Sequence, residues 1–438
     1  MNSEKFTLDN GITVLLDQIN QIESVSVRVL FKAGSRDETG YINGISHCLE
    51  HMNFKGTSRR NAAEIAEEFD MIGGYLNAYT SRDSTVYAAK VLKEDIGLAI
   101  DMLADLTNHS VYDEEELQKE INVIIHEIVE GNDDPSDLVF DLMQEAAYQN
   151  QVFGLPIAGR VDLIKQITRQ NLIDYAAKYY IPSNTIIGIA GNIEINQIKE
   201  QLNQRFVVNS KNSHNSSNFC QKSPFDSGIT QPKAVYIGGD RRSKKDVEQI
   251  HVALCFNGSS YFDDNYYAQQ ILAIIAGGGM SSRLFQEVRE KRGLAYGISS
   301  FCSNYHDTGI FGIFASSSTD KINELIKVCG EQIRGISENV TESELNRAKA
   351  QIRSGILMSQ ESSSKRAEKM VNNYAVFDRV ITFDEILQKI DELEPKDIAK
   401  EAKSLLQNLT NQQLTVAMAG NITDVIYDYD KITSLFRI

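Results

Sequence analysis

Hydrophobic and polar positions alternate through residues 25–31 (Val-Ser-Val-Arg-Val-Leu-Phe), and a Lys-Ala-Gly turn closes the stretch at Gly34. Period-two alternation predicts a half-buried strand. Residues 250–256 repeat the pattern and end at Gly258, 224 positions after Gly34. Each half also closes with an apolar strand running into Ala-Gly-Asn-Ile, at 190–193 and again at 419–422, an offset of 229. Two similar offsets from two separate matches indicate an internal duplication.

Helical periodicity fills the space between these strands. Leu117, Ile121, Ile124, Ile125 and Ile128 recur at three- and four-residue spacing, and acidic residues crowd the first turn, which predicts an amphipathic helix over 113–130. In the second half a helix begins at the capping box Thr341-Glu-Ser-Glu344. Each half reads strand, strand, helix, helix, strand pair, then a run of helices. This order predicts an α+β fold of two homologous domains, each with an antiparallel-rich sheet packed against helices. The boundaries fall at 1–208 and 232–438, joined by a Ser/Asn-rich linker over 209–231.

Chemistry concentrates in His47-Cys48-Leu49-Glu50-His51. On a helix, positions i and i+4 share a face, so both imidazoles can reach one Zn²⁺ at roughly 2.0–2.1 Å. Glu50 lies beside His51, placed to take a proton from a water at the metal. The order His-x-x-Glu-His is the inverzincin pattern. With 7 His and 60 Asp plus Glu in 438 residues, random placement produces it in on the order of one chain in a hundred. A catalytic zinc site of this kind needs a carboxylate as third ligand. The helix over 113–130 offers Glu120 and Glu127, seven apart on one face, and periodicity alone separates neither from a solvated glutamate.

His47-x-x-Glu50-His51 with a glutamate 76 positions after His51 resembles the pitrilysin-type peptidases. The likeness is strongest to the mitochondrial processing peptidase β-subunit and its bacterial homologues. Three stretches carry it end to end: 44–57, Gly73-Gly-Tyr-Leu-Asn-Ala-Tyr-Thr80, and 282–296. The resemblance implies one zinc per chain held by His47, His51 and Glu127, with Glu120 orienting a ligand and Glu50 as the base. It implies that Arg289 and Tyr296 act on substrate and oxyanion from a silent second half. Residues 270–276 of that half (Gln-Ile-Leu-Ala-Ile-Ile-Ala) offer no His or Glu where the first half has its motif. It further implies that strand 73–80 is an edge receiving extended peptides or presequences beside Asn77 and Ala78. The two domains would form half of a clamshell, completed by a second chain, by default a homodimer. The short glycine run at 277–279 is no phosphate loop, and its brevity suits the catalytic β-type. Cys48 stands where a larger apolar residue is expected and reads as a small buried side chain.

Composition narrows the remaining classes. A net charge of −16 argues against nucleic acid. No apolar run approaches the length of a membrane span. Without a basic n-region or an Arg-rich presequence at the start, the chain is expected to be cytoplasmic or else already processed. The five cysteines, Cys48, Cys220, Cys255, Cys302 and Cys329, are odd in number and scattered, so reduced thiols are expected. The rivals to a zinc metalloendopeptidase are a structural subunit of the same fold and a regulatory partner of another peptidase chain.

Overall fold

The computed structural model describes residues 3–207, 233–409, 413–423, 425 and 427–438. The expected linker over 209–231 and Cys220 lie outside them. Two compact units form.

The first unit is built on a six-stranded sheet of β1 (Ser3–Thr7), β2 (Thr13–Gln18), β3 (Ser24–Phe31), β4 (Tyr75–Thr80), β5 (Thr85–Leu92) and β6 (Thr185–Gly191). The spatial order is β1-β2-β6-β3-β5-β4, antiparallel except for the β2–β6 pair. Between β3 and β4 come helices α1 (Ile45–Asn53) and α2 (Ala62–Met71). After β5 come α3 (Ile96–Asn108) and α4 (Glu114–Asp133). Val25, Val27, Val29 and Phe31 of β3 join Ala99, Ile100 and Leu103 of α3 in one core. The alternation therefore assigns the inward face correctly.

The opposite face is not open to water. Leu15, Leu30 and Ile186 pack under Ala367, Met370 and Val371 of the helix Ser363–Phe377. Asp17, fully buried, accepts both arms of the Arg366 guanidinium at 2.6 and 2.7 Å. Such a bidentate pair fixes the seating of that helix.

Among the described residues, the second unit repeats the arrangement without a counterpart of β1. Its strands are β7 (Gly239–Lys244), β8 (Gln249–Asn257), β9 (Gly297–Asn304), β10 (Gly309–Ser318) and β11 (Thr415–Gly420), in the order β7-β11-β8-β10-β9. Position by position this matches β2-β6-β3-β5-β4, including one parallel pair at the same place. One face carries the large core with the helices Tyr266–Gly277, Ile322–Glu338 and Pro395–Asn408. The other is covered by α5 (Pro135–Ala147), whose Leu138, Val139 and Met143 meet Ala253, Cys255 and Ala417. The capping box at 341–344 forms, with Thr341 N–H on Glu344 at 2.9 Å and the reverse bond at 3.3 Å.

The units are not the contiguous spans 1–208 and 232–438. Residues Val129–Leu155 belong to the second and Leu357–Ile381 to the first. Each sheet has two apolar faces, and each takes the helix for its second face from the other half of the sequence. Among the described residues no helix is long and apolar enough to cross a membrane. The described cysteines, 48, 255, 302 and 329, are free.

Candidate metal centre

Helix α1 begins at Gly44, whose φ of +92° suits glycine, and a Cβ there would lie 2.4 Å from Ile164 Cδ1. Gly44 has no side chain with which to cap the helix. Glu38 does so from the preceding loop. Its carboxylate accepts Gly44 N–H and the Asn43 amide at 2.9 Å each, and Ser46 N–H at 3.1 Å. An anion at a helix N-terminus complements the dipole. Burial pushes the Glu38 carboxyl up to about 7 against those bonds. Cys48, Leu49 and Met52 of α1 are fully buried, and burial raises the Cys48 thiol to about 12, which makes it an inert core residue.

The face of α1 left over holds the histidines one turn apart. His47 Nε2 and His51 Nε2 lie 3.2 Å from each other. Helix α4 crosses nearby, with Leu117, Ile121 and Ile124 fastening it to the same core. Its Glu127 Oε2 lies 3.6 Å from His51 Nε2 and 4.0 Å from His47 Nε2. A tetrahedral metal with ligands at roughly 2.0–2.1 Å places ligand atoms about 3.4 Å apart. The three observed separations bracket that value, so two imidazoles and one carboxylate fit zinc without large movement. Among the described residues, this is the one group of three or more His, Cys, Asp or Glu side chains close enough to hold a metal ion.

Glu120, two helical turns before Glu127 on α4 and buried, bonds His51 Nδ1 at 2.8 Å and takes Lys55 Nζ at 2.6 Å on its other oxygen. The bond turns the Nε2 lone pair of His51 toward Glu127 and makes the ring a stronger ligand. Burial works against the charge on Glu120, but His51 and Lys55 outweigh it and hold its carboxyl below the ordinary range. For His51, burial lowers the pKa, yet Glu120 and Glu127 more than compensate and the net shift is upward. Burial and the neighbouring His51 bring His47 down to about 4, so it is neutral and ready to ligate.

Glu50 is nearly buried, and burial raises its carboxyl above the usual range. Thr80, the last residue of β4, donates its hydroxyl to Glu50 Oε2 at 2.6 Å. The edge position expected for this strand is correct, since among the described residues β4 pairs only with β5. Tyr75, Asn77 and Tyr79 are exposed, while Leu76, Ala78 and Thr80 turn partly inward. Asn77 Oδ1 accepts the Ala78 N–H at 2.8 Å, and its amide donates to Tyr75 Oη at 2.7 Å.

The first unit thus gathers His47, Glu50, His51, Glu120 and Glu127 around one point, with Thr80 bonded to Glu50. Arg289 and Tyr296 belong to the second unit and meet each other there. The Arg289 guanidinium lies 4.9 Å from the centre of the Tyr296 ring and 4.7 Å from that of Phe285. Residues Phe285–Glu290 wind as a π-helix, and Tyr296 is 81% exposed. The helix Tyr266–Gly277, which occupies the place of α1 in this unit, has no metal-binding side chain.

Glu38 and Thr80 went unnoticed in the sequence. For Thr80 a signal existed: period-two alternation puts it on the same face as Leu76 and Ala78. Nothing in the spacing marks Glu38.

The insulinase (peptidase family M16) model matches residues 13–160, and the peptidase M16 inactive-domain model matches 166–352. The chain belongs to the M16 peptidase family. An uncharacterised zinc protease of Rickettsia felis is 39% identical over 93% of this chain and 96% of its own length. A probable mitochondrial-processing peptidase β-subunit of Arabidopsis thaliana is 30% identical over 97% of this chain and 79% of its own. A crystal structure of a protease from Helicobacter pylori shares the fold, with TM-score 0.84, 24% identity and coverage of 96% and 99%. The pitrilysin-type resemblance agrees with these matches.

Proposed function

We propose that the chain is a zinc-dependent endopeptidase acting on extended or unfolded peptides. The observation that supports it most is the convergence of His47 Nε2, His51 Nε2 and Glu127 Oε2 at 3.2–4.0 Å, with Glu50 close enough to interact with both His51 and Glu127. His47, His51 and Glu127 would hold the metal, one ion per chain. Zinc, when bound, supplies Lewis acidity that polarises the scissile carbonyl and makes water a competent nucleophile near neutral pH. Glu50 takes the proton from the attacking water and returns it to the leaving amine. A carboxyl raised by burial suits both roles. Glu120 keeps His51 in the ligating tautomer.

The open edge of β4 supports an extended substrate, which adds as a further strand beside Asn77 and Ala78. Folded segments cannot pair in that way. Arg289 and Tyr296 are proposed to steady the oxyanion, and the exposure of Tyr296 leaves its hydroxyl available. Tyr296→Phe and Arg289→Ala are expected to lower kcat by about 10²–10³-fold with zinc content unchanged. Wild-type kinetics in both would remove these residues from the mechanism.

Incubating the purified chain with unstructured peptides tests the proposal. Cleavage is expected, abolished by a chelator and restored by stoichiometric zinc. No cleavage by a fully zinc-loaded chain would favour a structural or regulatory subunit instead. Two copies are further proposed to pair as a C₂ homodimer. Light scattering should then report about twice the 49.0 kDa chain mass, and a monomer of full activity would refute pairing.

A further inference from the structure

We propose that Thr80 is a positioning residue for the base: it clamps the Glu50 carboxylate to the edge strand on which substrate would lie. The inference rests on the peptidase reading above. Three observations converge on it.

The first is the bond itself. Thr80 Oγ1 lies 2.6 Å from Glu50 Oε2, within the short range of a hydroxyl donating to a charged oxygen. The Thr80 backbone N–H faces the same side chain and favours its charged form. Among the described residues, the Thr80 hydroxyl is the one geometric hydrogen-bond donor to the Glu50 carboxylate.

The second is where that residue sits. In an antiparallel pair, main-chain groups alternate between facing the partner strand and facing away. The Ala78 N–H turns away from β5, since Asn77 Oδ1 takes it at 2.8 Å. Thr80, two residues on, presents its N–H on the same outer edge. The Thr80 hydroxyl is committed to Glu50, whereas the Ala78 N–H is held by an exposed side chain. A peptide adding to β4 can displace the Asn77 side chain and leave the Thr80 clamp in place.

The third is burial. Glu50 is 9% exposed, so water does little to fix its orientation. A carboxylate in that setting needs protein donors to choose one rotamer. With Thr80 attached, the base is fixed to the rim of the sheet as well as to α1. Proton transfer is sensitive to such alignment.

Threonine can be changed to the isosteric valine, which removes the hydroxyl and keeps shape and β-propensity. Thr80→Val is expected to lower kcat by about 10–100-fold, the usual effect of removing a group that orients a catalytic one. KM should stay within about twofold, and zinc content and melting temperature should stay near wild type. Thr80→Ser, which retains the hydroxyl, should recover most of kcat. In a Glu50→Gln background, Thr80→Val should add no further loss of residual activity, because no base remains to be positioned.

An unchanged kcat in Thr80→Val would overturn the proposal, as would a rise in KM alone, which would make Thr80 a substrate contact. So would equal losses in both Glu50 backgrounds. Loss of zinc together with stability would make its role structural and overturn the proposal as well. Failure of the peptidase reading looks different: the zinc-loaded wild type itself would cleave nothing.

Discussion

Glu50→Gln is expected to bind zinc as the wild type does and to lose about 10²–10⁴-fold in kcat. Glutamine is isosteric, and its amide oxygen can still accept the Thr80 hydroxyl, so local packing survives. None of the three converging ligand atoms belongs to Glu50, so metal should remain. The carboxyl is nearly buried and its pKa is raised mainly by desolvation. Substituting a neutral amide removes that cost, and the melting temperature of the metal-free variant should equal or exceed the parent's. Steady-state kinetics, metal analysis and calorimetry on one preparation check all three outcomes. Retained kcat would mean that another group is the base.

Removing ligands should produce the opposite signature, loss of metal and activity together. His51→Ala deletes one ligand and also leaves Glu120 facing Lys55 alone, so zinc and cleavage should both disappear. In the His47→Ala/His51→Ala double variant only the carboxylate remains, too few ligands for a protein zinc site. Glu120→Gln should be intermediate, since the ligands stay but His51 loses its charged partner, a change that weakens metal binding by about 10–100-fold. Equilibrium zinc titration against a competing chelator ranks the series. Stoichiometric zinc in the double variant would place the metal elsewhere.

The parts of this site that follow one helix were legible from spacing. His47 and His51 are four apart and Glu120 and Glu127 seven apart, and helical geometry alone puts each pair on one face. The strand alternation at 25–31 likewise identified the inward residues of β3. It mistook the outward face for a solvated one, because alternation reports polarity and not what lies above it. Ser26 and Arg28 are polar, yet Ser26 is buried, and Arg28 meets Glu368 of the helix Ser363–Phe377 at 3.8 Å. That an amphipathic helix at 363–377 or 135–147 belongs to the sheet of the other half has no signature in its own periodicity. The chain therefore reads as two contiguous domains where the units interleave. Thr80 and Glu38 were missed for a related reason. Their bonds join residues thirty and up to eight positions apart through a sheet edge and a loop; alternation turns Thr80 inward, but no sequence period says which residue it meets there.

One zinc ion is expected to bind between α1 and α4 at His47, His51 and Glu127. Crystals of the zinc-loaded protein, measured on both sides of the zinc absorption edge, test it most directly. One anomalous peak is expected, roughly 2.0–2.1 Å from both Nε2 atoms and bonded to a Glu127 oxygen. A peak at any other group of side chains, or none at these residues in a zinc-loaded crystal, would contradict it.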